Sequence, residues 1–141
     1  MAKLEVKVQE MFEIVRKYVR KYPLSVVCIA FVWLLSLIPF FPETPLDDVE
    51  FIDKWTHLVM YGGTCLIIWW EYRCKHHQPD YRQLLIWGWL APVLMGGLLE
   101  LLQEYATTTR NGDWFDFAAN TLGATLGSAI GLLLIKYYPK R

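Results

Sequence analysis

Four uninterrupted apolar stretches alternate with short polar links along the 141 residues of this chain. They cover residues 24–41, 55–70, 84–99 and 117–135. A membrane-spanning helix needs roughly 20 residues, within a range of about 17–25. Two of the stretches contain only 16 residues, so polar residues at their ends must lie inside the helical span. The pattern predicts an all-α fold, an integral membrane four-helix bundle.

A basic, amphipathic segment precedes the first stretch. In residues 3–22, apolar side chains recur at three- and four-residue spacing with basic residues between them, which predicts a helix. We interpret this helix either as an interfacial helix on anionic lipids of the inner leaflet or as a basic leader that sets topology. The chain thus divides into an N-terminal helix, residues 1–23, and a four-helix domain, residues 24–141.

Lysine and arginine are unevenly distributed between the two sides of the predicted bundle. Twelve of the 14 precede the first stretch, follow the last, or lie in the link between the second and third. Only Lys54 and Arg110 lie in the other two links. Because positive residues favour the cytoplasmic side, both termini are predicted to be cytoplasmic. The 14 acidic residues balance the 14 basic ones, and no nucleic-acid partner is expected.

Polar side chains open the second predicted helix. Asp53, His57 and Tyr61 are four residues apart, so they share one helical face. A carboxylate one turn before an imidazole can orient the ring as a base or proton donor. The alternative is structural: Asp53 caps the helix, Lys54 lies at the membrane interface, and His57 makes local contacts.

The third and fourth helices bring further polar residues to the same end. Glu100 has apolar neighbours, and an ion pair with Arg110 is the simplest structural alternative to a functional role. Asp116 is expected to cap the fourth helix, with Asn120 one turn deeper. By residue counting, His57, Glu100 and Asn120 lie at one depth. Charge at that depth usually faces a protein interior or a cavity, so one shared site is favoured over independent caps.

Small residues and a proline predict where the helices are closely packed or irregular. Four small residues recur at four-residue intervals in the last stretch: Ala119, Gly123, Gly127 and Gly131. Such a face allows close packing of helices in lipid. We expect it to contact another helix of the same chain, with a homo-oligomer through this face as the alternative. Pro92, followed by Gly96 and Gly97, is expected to kink the third helix just before Glu100.

The order and spacing of the polar residues resemble the VanZ-like membrane protein family. The pattern is Asp53-Lys54-x-x-His57-x-x-x-Tyr61, then Glu100-x-x-Gln103, then Arg110-x-x-x-x-x-Asp116-x-x-x-Asn120-x-x-Gly123-x-x-x-Gly127. It covers about residues 51–131. The resemblance implies a bacterial multi-pass protein of the cytoplasmic membrane, and the family's namesake is associated with low-level resistance to the glycopeptide teicoplanin. Residues 107–109 are three threonines, where the family pattern leads us to expect Pro-Gly.

Two functions are expected of the shared site, which the charge distribution assigns to the extracytoplasmic face. The first is an enzyme acting on a lipid or lipid-linked glycan head group of the cell envelope, with His57, Glu100 and Asp116 as catalytic residues. Its expected substrate-binding residues are Asp53, Lys54, Tyr61, Gln103, Arg110 and Asn120. The second is a non-catalytic protein that sequesters or remodels an envelope component.

Expected partners are membrane lipids and a lipid-linked cell-wall precursor or a lipoglycopeptide. A transporter or scramblase is less favoured than either function, since the chain shows no inverted repeat. No cofactor is expected. A metal-dependent variant that uses His57, Asp53 and Glu100 is an unsupported alternative, and no metal site is expected, because the sequence contains neither a CxxC pair nor two histidines at ligand spacing.

Overall fold

The computed structural model describes residues 1–38, 51–107 and 111–138. These residues form helices α1 (Ala2–Lys21), α2 (Pro23–Leu37), α3 (Ile52–Lys75), α4 (Tyr81–Leu85), α5 (Ala91–Ala106) and α6 (Trp114–Tyr137). A π-helical segment, Ile86–Leu90, joins α4 to α5 in one continuous helix. No strand occurs in these ranges, and the all-α prediction is confirmed.

Two helical segments in the described part of the chain are long and apolar enough to cross a membrane, Tyr81–Ala106 and Trp114–Tyr137. A third is added if α1 and α2, which meet at 103°, form one broken span. Helix α2 has 15 described residues, and α3 carries charged side chains near both ends. The structure therefore supports two or three of the four predicted spans. The complete four-helix membrane bundle and the location of both termini stay predictions.

The bend between α1 and α2 follows from Pro23. A proline disfavours helical backbone at the residue before it, and Tyr22 accordingly has φ −129° and ψ 58°. Proline is well suited to the first turn of a helix, so α2 begins there. Helix α1 is the helix predicted for residues 3–22, and its apolar side chains, including Met11 and Phe12, are exposed. This exposure is typical of a helix that lies on an apolar surface.

Hydrogen bonds between helix ends establish the direction of α2. Near the end of α3, Glu71 accepts bonds from the backbone N–H groups of Leu24 (3.1 Å) and Ser25 (2.8 Å) at the start of α2. Near the end of α5, Gln103 Nε2 donates to the carbonyl of Ser36, 2.8 Å away at the end of α2. Helix α2 is therefore antiparallel to α3 and parallel to α5. The start of α3, the ends of α2 and α5 and the start of α6 share one end of the molecule, which we call the polar end.

Helices α3 and α6 form the most extensive helix–helix contact. A Cβ on Gly123 would lie 2.2 Å from the carbonyl oxygen of Leu58, and a Cβ on Gly127 would lie 2.1 Å from that of Gly62. Only glycine permits this approach. The prediction that the small-residue face packs on a helix of the same chain is confirmed. A homo-oligomer through this face, which includes Gly131, would require α3 to move away from it.

Pro92 leaves a carbonyl without its usual helical partner. Proline has no N–H group, so the carbonyl of Gly88, four residues earlier, cannot make the regular helical hydrogen bond. That carbonyl accepts bonds from Trp69 Nε1 (3.2 Å) and Ser128 Oγ (2.9 Å). The interruption in the helix is therefore compensated by α3 and α6.

The irregular part of this helix lies before Pro92 and not after it. The π-helical segment Ile86–Leu90 ends just ahead of the proline, whereas α5 continues without a break through Gly96 and Gly97 to its end. The expected kink just before Glu100 is therefore wrong in position. The physical reason is that proline disturbs the turn on its N-terminal side.

The buried side chains form two clusters along the bundle. One contains Val32, Tyr61 and Leu99, and is flanked by partly buried residues such as Trp33 and Met95. The other contains Trp69, Tyr72, Leu84 and Ile135. Tyr61 is four residues beyond His57 on α3, so the first cluster adjoins the polar end.

Candidate functional site

Helices α3, α5 and α6 bring three polar side chains into one hydrogen-bonded array at the polar end. His57 Nδ1 lies 2.9 Å from Asn120 Oδ1, and Asn120 Nδ2 lies 3.3 Å from Glu100 Oε1. Asn120 and Glu100 are buried. We call these residues the His57–Asn120–Glu100 array. The prediction that they meet at one level is confirmed, while their functional role stays a prediction.

The array determines which nitrogen of His57 carries the proton. Asn120 turns its NH₂ group to Glu100 and its Oδ1 to His57 Nδ1, and an amide oxygen can only accept a hydrogen bond. His57 Nδ1 must then donate. The second ring nitrogen, Nε2, keeps a lone pair in the neutral imidazole. The array thereby orients His57 as a base or as a metal ligand.

Asp116 connects the array to a cluster of charges around Lys54. Lys54 Nζ lies 2.7 Å from Asp113 Oδ2 and 3.0 Å from Asp116 Oδ1, and it also pairs with Asp53. The other oxygen of Asp116, Oδ2, lies 3.6 Å from His57 Nε2. That distance is too long for a hydrogen bond, yet close enough for the carboxylate to stabilise a protonated imidazole.

Asp113, not Asp116, caps α6. The Asp113 side chain accepts a bond from the backbone N–H of Phe115 at 2.8 Å. The predicted cap at Asp116 is wrong because the helix begins before that residue, which frees the Asp116 carboxylate to face His57. Asp53 does not cap α3 either, since the capping position is Phe51 and Asp53 lies in the first turn. The sequence contained a signal for Asp113 as the cap, because this residue directly precedes the final apolar helix.

The link between α5 and α6 is attached to the array through its backbone. Glu100 Oε2 accepts a hydrogen bond from the N–H of Asp113 at 3.1 Å. Glu104 Oε2 accepts one from the N–H of Gly112 at 2.9 Å. A Cβ on Gly112 would lie 2.5 Å from the carbonyl oxygen of Glu100, so a glycine is required for the chain to pass this close. These bonds position Asp113 to receive Lys54.

The Asp113 carboxylate is held in its ionised form. The hydrogen bond from Lys54 is the main cause that lowers its pKa below the ordinary value, and the N–H of Phe115 lowers the pKa further. Because the Asp113 side chain is 37% exposed, water screens part of this interaction. The charge on Asp113 therefore persists through the physiological pH range.

Two further predicted site residues lie beside the array. The Tyr61 side chain is 1% exposed, and its hydroxyl has no hydrogen-bond partner among the described residues. A Cβ on Gly96 would lie 3.3 Å from both Tyr61 Cε1 and Asn120 Cβ, so the tyrosine ring borders the array where α5 comes close. Gln103 donates a hydrogen bond to the carbonyl of Ser36 and so links α5 to α2.

No protein family, curated protein or solved structure matches this chain. The resemblance to the VanZ-like family therefore stays a hypothesis that depends on the residue pattern. Arg110, which belongs to that pattern, lies outside the described residues together with Thr108 and Thr109. The ion pair between Arg110 and Glu100, which is the structural alternative to a functional Glu100, lies outside them as well.

The arrangement has two chemical capacities. His57 can exchange protons through Nε2 while Asn120 and Glu100 hold the ring. His57, Glu100 and Asp116 can also surround a cation, because one ligand atom from each lies within 4.8 Å of the others. Both capacities depend on the same three side chains, which come from three different helices.

Proposed function

We propose that this chain is a membrane protein that binds and modifies the polar head group of a lipid or lipid-linked glycan of the cell envelope. The observation that carries the proposal is the His57–Asn120–Glu100 array, with Asp116 beside it, at the end of an otherwise apolar set of helices. Buried polar groups are costly in such surroundings and are usually retained for function. The VanZ-like resemblance selects the same residues.

The array is accessible from the polar end. The side chain of His57 is 12% exposed and that of Asp116 is 16% exposed, whereas Asn120 is fully buried. A head group approaching the membrane surface would therefore reach His57 and Asp116 first. Asn120 and Glu100 would act from behind to fix the imidazole.

An apolar groove next to this end suits the hydrocarbon part of such a substrate. The groove has a volume of about 520 Å³ and runs between α2 and α3, where Phe31 and Leu35 face Ile52, Trp55 and Thr56. Its lining is almost entirely apolar, as an acyl chain requires. The groove reaches the first turn of α3, so a lipid lying in it would have its head group beside the charged residues of that turn.

The chemistry that the array supports is general acid–base catalysis. His57 Nε2 would take a proton from the attacking group, and Asp116 Oδ2 would stabilise the imidazolium that forms. Glu100 acts through Asn120 by holding the amide that receives His57 Nδ1–H. An imidazole is suited to this role because the same ring nitrogen can accept and later donate a proton.

The second candidate function is non-catalytic binding of an envelope component. The charges around Lys54 favour it, because the ammonium group and its three carboxylates hold one another in place and would contact a polar head group without exchanging protons. Under this alternative the same end would capture a lipid, a cell-wall precursor or a lipoglycopeptide without turnover. By the positive-inside rule we propose that this end is extracytoplasmic in a bacterial cytoplasmic membrane.

Glu100→Gln distinguishes the two functions. The amide keeps the shape of the side chain and an oxygen that accepts hydrogen bonds, but it removes the charge. Glu104→Gln is the matched control, because it lies one turn away on the exposed side of α5 and its amide oxygen can still accept the bond from the Gly112 N–H. Lipids retained by the purified proteins report binding, and lipid profiles of expressing cells report modification, both by mass spectrometry.

Catalysis predicts that Glu100→Gln retains its lipid and abolishes the modified product, while Glu104→Gln preserves both. Loss of lipid retention in a folded Glu100→Gln protein supports the binding function instead. If Glu100→Gln leaves both readouts unchanged, the array is not the functional site.

A further inference from the structure

We propose that His57, Glu100 and Asp116 bind a divalent transition-metal ion, with Zn²⁺ as the ion of choice, through His57 Nε2 and one oxygen of each carboxylate. The inference deepens the proposed function, since it rests on the same array, but it can be tested without a substrate. One ring nitrogen of His57 and one oxygen of each carboxylate lie within 4.8 Å of one another. They come from α3, α5 and α6, which explains why ligand spacing within one segment gave no indication of them.

The distances suit a tetrahedral ion after small side-chain rotations. Two ligands that each lie about 2.1 Å from Zn²⁺ are about 3.4 Å apart in tetrahedral geometry. His57 Nε2 and Asp116 Oδ2 are already 3.6 Å apart. The remaining separations are at most 4.8 Å, so tetrahedral binding requires the ligand atoms to come closer by up to about 1.4 Å. Three protein ligands would leave one position open, as in catalytic zinc sites.

The three proposed ligands have neighbouring groups that orient them, as metal ligands usually do. A ligating histidine almost always donates its other ring N–H to a fixed acceptor, and His57 donates Nδ1–H to Asn120 at 2.9 Å. Glu100 accepts from the N–H of Asp113. Asp116 uses Oδ1 for Lys54 and leaves Oδ2 for His57 and the ion. His57 and Glu100 are thus oriented by hydrogen bonds and Asp116 by an ion pair, none of which metal binding has to break.

Charge at the polar end favours a cation. Asp53, Asp113 and Asp116 surround Lys54, whose ammonium group already serves as the cation of that trio. Glu100 has no such partner within ion-pair distance among the described residues. The three carboxylates around Lys54 exceed its single positive charge, and a divalent ion bound at Asp116 would reduce this negative excess.

Tyr61 gives an independent indication of a missing ligand. Its hydroxyl is buried and has no hydrogen-bond partner among the described residues, which is unusual for a buried polar group. The tyrosine ring and Asn120 both lie beside Gly96, where an added Cβ would stand 3.3 Å from each. A water on the open position of the ion would provide the partner that Tyr61 lacks. With the ion bound, His57 Nε2 would be a ligand and not a base, and activation of a water by the metal would replace proton transfer to His57.

The test is zinc chloride titration of the full chain, purified in detergent and freed of metal with a chelator. Calorimetry gives the affinity, and elemental analysis after dialysis gives the stoichiometry. The chain has three histidines, so His77→Gln, which changes an exposed histidine at the opposite end, is the matched control for His57→Gln. We expect one tightly bound Zn²⁺ per chain, retained in His77→Gln and weakened at least about 100-fold in His57→Gln. Asn120→Ala should weaken binding by about 10–100-fold, as outer-shell partners of metal ligands do.

Cobalt chloride provides a readout on the unchanged protein, so the test does not depend on the folding of a variant. A tetrahedral site predicts visible absorption bands from bound Co²⁺ that one equivalent of Zn²⁺ abolishes. Absence of tight zinc binding to the wild type, or equal affinity in His57→Gln, overturns the inference. Lipid retention without metal binding overturns this inference alone, and metal binding without lipid retention or modification overturns the proposed function alone.

Discussion

Gly123→Ala should separate α3 from α6 and disrupt the array at the same time. The added Cβ would stand 2.2 Å from the Leu58 carbonyl oxygen, and a contact of 3.0 Å requires the helices to move apart by about 0.8 Å. His57 and Asn120 lie on the two separating helices, so their 2.9 Å hydrogen bond would lengthen to about 3.7 Å if the whole shift acts along it. That distance is beyond hydrogen-bonding range.

The expected cost combines overpacking and the lost bond. Inserting a methyl group into a closely packed contact costs about 1–3 kcal/mol, and the broken His57–Asn120 bond adds about 0.5–1.5 kcal/mol. The assay is unfolding of the purified protein by SDS in mixed micelles, followed by tryptophan fluorescence. We expect the free energy of unfolding to fall by about 1.5–4.5 kcal/mol.

Gly63→Ala is the matched control for this prediction. It lies in α3, and a Cβ there would meet nothing within 4 Å. Because alanine has the higher helix propensity, this variant should be unchanged or more stable by about 0.5–1 kcal/mol. Equal unfolding free energies for Gly123→Ala and Gly63→Ala would refute the close α3–α6 contact on which the array depends.

Two further predictions concern charge and topology at the polar end. Asp113→Asn keeps a residue that can cap α6 but removes the carboxylate whose pKa the Lys54 hydrogen bond lowers. A carboxyl group whose pKa is lower in the folded than in the unfolded protein stabilises the fold at pH values above the unfolded pKa of about 3.9. This stabilisation is lost as the pH falls through the folded pKa. The stability difference between wild type and Asp113→Asn should therefore shrink below about pH 4, and a constant difference would contradict the Lys54–Asp113 pairing. An Asn111→Cys side chain should react with a membrane-impermeant thiol reagent from outside the cell. Exposed Cys74 should react only after the membrane is opened. Labelling of residue 111 only from the cytoplasm would contradict the topology.

The helices and their polar end were predictable because both depend on local patterns. Apolar stretches and helical periodicity set the location of α3, α5 and α6. Counting at 1.5 Å per residue placed His57, Glu100 and Asn120 at one depth, and antiparallel threading brought them together. The glycine face was predictable for the same reason, since Gly123 and Gly127 are one turn apart in the sequence. At both positions the contact with α3 leaves no room for a side chain.

The details of the site were not predictable, because they depend on helix ends and on rotation about the helix axis. The start of α6 differed from the expected position, so Asp113 became the cap and Asp116 turned inward. The hydrogen bond between His57 and Asn120 requires both helices to face each other at the correct angle. A shift in helix register of one residue would rotate each side chain by about 100° and break the array.

The most direct test of the central claim is mass spectrometry of the lipids that remain bound to the purified protein, compared for wild type, His57→Leu and the control His77→Gln. We predict that wild type and His77→Gln retain one head-group class enriched at least about tenfold over the membrane, equivalent to about 1.4 kcal/mol, and that His57→Leu loses this enrichment. Retention of lipids in membrane proportions by all three proteins, or the same enrichment in His57→Leu, would contradict the assignment of the array as the head-group site.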